Sequence, residues 1–109
     1  MTPLLPLAYG YLRADMLRDR DPDSGADRLR AAAESFGYAL GTVFYEPAPQ
    51  HGILPPAFVE LVQECRRTEA RAVLTLRGHL SGMTACRTIL MGILGVRTDA
   101  AIRELEPNG

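Results

Sequence analysis

Lysine is missing from this chain. All twelve basic residues are arginine, and Asn108 is the only asparagine. Together with abundant alanine, leucine, glycine and proline, this pattern matches codon usage in a GC-rich bacterial genome, so the lysine gap reports on the genome more than on function. Neither sign of charge dominates: the formal net charge is −1. No global basic field therefore draws the chain to nucleic acid or to an anionic membrane. Cysteine is scarce. Cys65 and Cys86 have no metal-type spacing and no secretory context, which predicts partly buried free thiols in a reducing cytoplasm. His51 and His79 do not complete a zinc pattern with them. The opening Met1-Thr2-Pro3-Leu4-Leu5-Pro6 lacks the basic start and apolar core of a signal peptide. No apolar run approaches the length of a membrane span. A cytoplasmic protein without a membrane partner is the expectation.

Nucleotide-binding signatures are absent as well. Asp15-Met16-Leu17-Arg18 follows the first predicted strand where a glycine-rich phosphate loop would stand, so no nucleotide cofactor is expected. Ser81 lies two residues after His79 without the sharp Gly-x-Ser-x-Gly turn of a hydrolase nucleophile; its expected role is to cap the helix that follows. No cofactor and no metal site is predicted.

What is present is one α/β domain. The 109 residues suffice for a single compact unit, and 47% of them are hydrophobic, enough for a packed core. Leu7 to Arg13 is apolar and aromatic, bounded by Pro6 and a polar run, and predicts a buried strand. Arg18 to Gly25 reads as a charged loop. Its arginines, with Arg28 and Arg30, are interleaved with Asp19, Asp21, Asp23 and Asp27, the pattern of a solvated, salt-bridged surface. Ala26 to Phe36 predicts a helix with Leu29, Ala32, Ala33 and Phe36 on one apolar face and Gly37 as its stop. Tyr38 to Tyr45 predicts a second strand, and the proline-rich run from Glu46 to Pro56 a loop, with Pro56 suited to the first turn of the next helix. That helix, Ala57 to Thr68, places Phe58, Leu61, Val62 and Cys65 on one face and Glu60, Gln63, Glu64 and Arg67 on the other. Arg71 to Leu76 predicts a third strand, Arg77 to Gly82 a turn, Thr84 to Leu94 a third helix ended by Gly95, and Ala100 to Leu105 a last strand. Alternating strands and helices over short connections imply a mostly parallel four-stranded sheet, order β-α-β-α-β-α-β, with helices on both faces.

Several segments, taken in order, resemble the catalytic domain of the serine recombinases, the resolvase and invertase family. Tyr9-Gly10-Tyr11-Leu12-Arg13-Ala14-Asp15 is similar to that family's opening strand, roughly Gly-Tyr-x-Arg-x-Ser. Ala31 to Tyr38, Val43 to Glu46, Phe58 to Val62 and Val73 to Leu76 with His79 to Gly82 are similar to the elements that follow, so the resemblance spans about residues 7 to 106. It implies the resolvase-type three-layer fold. In that family a serine hydroxyl attacks DNA while several arginines hold the phosphate and stabilise the charge on its oxygens. Arg13 matches the first-strand arginine. Asp15 stands where the serine belongs, Pro55 and Pro56 where a loop arginine belongs, and His79 and Gly82 where two further arginines belong. Gly78 replaces an aspartate, and Arg77 lies one step out of register. The family's long dimerising helix and separate DNA-binding domain have no counterpart among these residues.

The resemblance thus implies a retained fold beside a dismantled site at Arg13, Asp15, Glu46, Arg77 and His79, all expected at the carboxyl edge of the sheet where ligands of such folds bind. The expected function is non-enzymatic: a recombinase-like protein acting through protein contacts, with a protein partner or a second copy of itself. The third helix supports this, since Met83, Ile89, Leu90, Met91, Ile93 and Leu94 exceed one apolar stripe. Two alternatives belong to other classes. One is a DNA-associated regulator that binds without cleaving, disfavoured by the charge balance. The other is a small enzyme in which a carboxylate orients His79 for acid–base work.

Overall fold

The computed structural model describes residues 5–16, 24–47, 55–80 and 87–106. At its centre lies strand β1 (Leu7–Arg13), flanked by β2 (Ala39–Glu46) and β3 (Ala72–Leu76), with β4 (Ala101–Leu105) outside β3. The order is β2-β1-β3-β4 and every pairing is parallel. Helix α1 (Ser24–Phe36) covers one face of the sheet; α2 (Pro56–Thr68) and α3 (Arg87–Arg97) cover the other. This is the three-layer architecture expected from the alternating pattern. A single 3-10 turn, Ala14–Met16, leads off the tip of β1.

Period-two alternation along β1 builds both cores. Ala8 and Leu12 point to the α1 side, where they meet Leu29, Ala33, Ala72, Leu74 and Leu76. Tyr9 and Tyr11 point to the other side, where they meet Phe58, Leu61, Cys65, Val73, Leu90 and Leu94. The Tyr11 and Phe58 rings pack edge to face, 5.6 Å between centroids. In β2 the register to β1 shifts by one residue between Leu40 and Val43, a bulge that puts both side chains on the α1 side despite their odd spacing.

The helices match their predicted apolar faces with two corrections. Phe36 is not a core residue: it is exposed at the end of α1, with the Arg103 guanidinium stacked over its ring at 5.0 Å. Gly95 does not end α3, which runs on to Arg97; the stop is made by Thr98, whose backbone N–H and hydroxyl both donate to the Leu94 carbonyl while its oxygen accepts from Ala100 N–H. Gly37 does terminate α1, with its own N–H and that of Tyr38 turned back to Glu34 and Ala33. On α2, Pro56 occupies the first turn, and Phe58, Leu61, Val62 and Cys65 are buried as expected. Burial pushes the Cys65 thiol up to about 11, leaving it protonated and unreactive at neutral pH. His51, Ser81, Gly82 and Cys86 lie outside the described residues. Among the described residues no helix is long and apolar enough to cross a membrane.

Candidate functional site at the strand ends

The chain leaves β1 toward β2 on one side and returns over β1 to β3 on the other. The carboxyl ends of β1 and β3 therefore flank the point where the connections diverge, the usual ligand position in open parallel sheets. Arg13 and Asp15 come from the tip of β1, His79 from the turn after β3. That turn, Leu76 to His79, closes through His79 N–H to the Leu76 carbonyl, with Gly78 at φ 92°, a conformation that side chains disfavour.

These three residues form one unit. The Arg13 guanidinium grips the Asp15 carboxylate with two parallel bonds, Nε to Oδ1 at 3.1 Å and Nη2 to Oδ2 at 2.8 Å. This contact holds the Asp15 carboxyl below its usual range. Asp15 is the more exposed partner, its side chain at 33% against 7% for Arg13, so the carboxylate lies on the solvent side of a buried cation. The backbone N–H of Arg13 donates to Nδ1 of buried His79 at 2.8 Å. Because Nδ1 accepts, the ring is neutral with its proton on Nε2. Burial lowers the His79 pKa, and the Arg13 charge lowers it further, while Asp15 opposes.

That geometry sets a pH dependence. A histidine harder to protonate in the folded chain than in the unfolded one contributes stability above the unfolded value of about 6.5, and that contribution is lost as pH falls through the folded value. Stability should thus decline as pH falls below the unfolded value of about 6.5. In His79→Asn, whose amide oxygen can accept the Arg13 N–H without titrating, urea midpoints should fall less steeply below that pH. Equal slopes for both proteins would contradict the assignment. Asp15 adds its own loss only in more acidic solution, because its pKa is depressed below the ordinary carboxylate value.

Glu46 and Arg77 were expected at the same edge; Glu46 is the register partner of Arg13 on β2, but its carboxylate and the Arg77 guanidinium are bonded to other groups. Glu46 is 1% exposed and carries three bonds. Oε1 accepts from the Tyr11 hydroxyl at 2.8 Å and from Phe58 N–H at 2.9 Å, and Oε2 accepts from Ala57 N–H at 3.0 Å. The carboxylate thereby caps α2, whose own N-cap position is Pro55 and offers no side-chain bond. Burial, followed by the bond to Glu46, drives the Tyr11 pKa far above the normal tyrosine value, so the phenol stays a donor. Arg77 turns outward to Glu106 beyond β4, 2.7 Å away and exposed on both sides. The Glu46 carboxylate is thus built into a helix cap, while Nδ1 of His79 is bonded to the Arg13 backbone.

Sequence reasoning missed Tyr11 and Thr75. The Thr75 hydroxyl donates to the Tyr11 carbonyl at 2.6 Å and ties β3 to β1 under the site. A signal for the Tyr11–Glu46 pair was present: a helix opening on Pro55-Pro56 has no capping side chain of its own and needs an acceptor from elsewhere.

No family model matches the chain, and no curated protein matches it. Solved structures do. The C-terminal catalytic domain of ISC1926 TnpA, an IS607-like serine recombinase, superposes with a TM-score of 0.70 over 93% of this chain and 69% of its own, at 16% identity. The fold is that of a serine recombinase catalytic domain. The first open reading frame of transposon ISC1904 from Sulfolobus solfataricus P2 is also similar, with a TM-score of 0.56 over 91% of this chain and 67% of its own, at 18% identity. At such identities the likeness concerns the serine recombinase fold, and the side chains at the strand ends have to be judged on their own geometry.

Proposed function

We propose that this chain is a serine-recombinase-like protein without strand-cleaving chemistry, and that it works through protein contacts. The observation that carries this reading is the Arg13–Asp15 pair. The position matching the nucleophilic serine holds a carboxylate, which has no hydroxyl to attack a phosphodiester and repels the phosphate. The one arginine matching the phosphate-holding set is engaged with that carboxylate. Glu46 and Arg77 hold partners within the chain as well.

Helix α3 supports the contact part of the proposal. Leu90 and Leu94 face the core, whereas Ile89 and Val96, seven residues apart and on one helix face, are exposed, Val96 at 86%. Between α2 and α3 lies a groove of about 240 Å³ lined by Phe58, Val59, Val62, Gln63, Ile93 and Arg97. Apolar surface and a groove of this kind suit a protein contact.

Incubation with supercoiled DNA should give neither nicked product nor a covalent protein–DNA adduct. An adduct formed by the wild type and lost in Asp15→Ala would sink the inactive reading. For the contact reading, Val96→Glu should abolish a self-association or partner complex seen with the wild type by sedimentation; a complex indifferent to that change would place the contact elsewhere.

A further inference from the structure

We propose that the outer edge of β2 pairs with the same edge of a second copy of this chain, antiparallel about a two-fold axis at Phe44, so that the two sheets join into one. The surface is separate from α3, and the partner is the chain itself. Three observations carry it. First, among the described residues no strand pairs with the outer side of β2, and an open strand edge is a template for another strand. Second, the two edges of the sheet are built differently. The β4 edge carries Arg103 and Glu104 on opposite faces, with Glu106 just beyond, and such charges keep edges from pairing. β2 has no charged residue from Ala39 to Tyr45, and Glu46 is buried and bonded to Tyr11 and α2. Its bulge lies between Leu40 and Val43, so Val43 to Glu46 runs in unbroken register with Gly10 to Arg13. Third, this straight half is self-complementary. Val43 packs on the α1 side and Phe44 on the other, against Tyr9, while Tyr45, 42% exposed, shares the face of Val43. A two-fold axis through Phe44, normal to the sheet, sets Phe44 opposite Phe44 and Val43 of each copy opposite Tyr45 of the other. Aromatic pairs and aromatic–β-branched pairs of this kind stabilise antiparallel neighbours, and an isologous contact uses one patch twice.

An edge this short is a small interface, so the dimer should be weak and grow in with concentration. Sedimentation equilibrium of the full chain should show a monomer–dimer transition below about 1 mM. Over the same concentrations, amide hydrogen exchange should slow within Val43 to Glu46 and stay constant in α3. Tyr45→Lys guards the edge with a charge, as natural edge strands do, and should weaken the dimer by at least about tenfold. Tyr45→Thr, which keeps strand propensity and loses only the ring, should weaken it by about threefold, and it reads the same contact if the charged variant does not fold. Val96→Glu should leave the exchange protection of β2 unchanged, so the two surfaces are read separately. A wild type that stays monomeric, a dimer that both Tyr45 variants leave intact, or protection confined to α3 would overturn the β2 pairing. A dimer that protects β2 and ignores Val96→Glu would support it and count against self-contact at α3.

Discussion

Glu46→Ala should lose about 3 kcal/mol of folding stability, a large share of the roughly 5–15 kcal/mol margin of a small domain. The side chain satisfies three donors at once: the Tyr11 hydroxyl and the N–H groups of Ala57 and Phe58. Removing it leaves a buried phenol without this acceptor and the first turn of α2 without a cap, and Pro55 cannot substitute. Loss of a helix cap costs about 1 kcal/mol, and each hydrogen bond to a charged group contributes about 1.5–3 kcal/mol. Relief from desolvating the carboxylate offsets part of that sum. Glu46→Gln should cost less, since one amide oxygen can still accept. A thermal melt reads the difference, with Glu46→Ala lower in Tm by roughly 15 °C. Tyr11→Phe should cost about 1 kcal/mol in the wild type and less in Glu46→Ala, where the Glu46 acceptor is already gone. Additive losses would mean that the Tyr11–Glu46 bond contributes nothing.

The fold was legible because its signals are local. Alternation in Leu7 to Arg13, apolar spacing in α2, and the Gly37 stop each follow from backbone geometry that a sequence displays directly. Phe36 and Gly95 were misleading for related reasons. Phe36 continues the α1 stripe by spacing, but the helix has reached the sheet's edge there, and Arg103 covers the ring in place of the core. Gly95 lies on the solvent side of α3, where a missing side chain costs the helix only its propensity, and Thr98 supplies the termination.

The candidate site was legible in position, and the sequence left two carboxylates, Asp15 and Glu46, as the natural partners of Arg13. Arg13, Asp15 and His79 do converge at the ends of β1 and β3, as parallel topology demands. Which acid Arg13 would choose depended on where the Glu46 side chain turned. That was decided by a need elsewhere, the uncapped start of α2. Once Glu46 serves Ala57 and Phe58, Asp15 is the carboxylate that pairs with Arg13 at the tip. The choice between the two was not legible, because Glu46 is held by the start of α2, eleven and twelve residues further along the chain.

Gly10→Ala should destabilise the protein by about 1–3 kcal/mol, and Gly10→Val by more, although both replacements favour strand over glycine. A Cβ on Gly10 would stand 2.8 Å from Leu29 Cδ1 and 2.9 Å from Val43 Cγ2, closer than packed carbons tolerate. Leu29 is fully buried between α1 and the sheet, so it has little room to swing aside. Val43 is β-branched and stiff at χ1. The entropy gained by removing glycine from the unfolded chain, about 0.4–1 kcal/mol, does not cover that strain. The mechanism predicts its own rescue. Val43→Ala alone should cost stability, but in the Gly10→Ala background it removes one clash and should recover part of the loss, giving a coupling of about 1 kcal/mol in a denaturation cycle. If the two changes simply add, the close approach of α1 and β2 to β1 is not what requires glycine. If they couple, the glycine of the Gly-Tyr-x-Arg strand is a packing residue, and its presence speaks for the fold independently of any chemistry at Arg13 and Asp15.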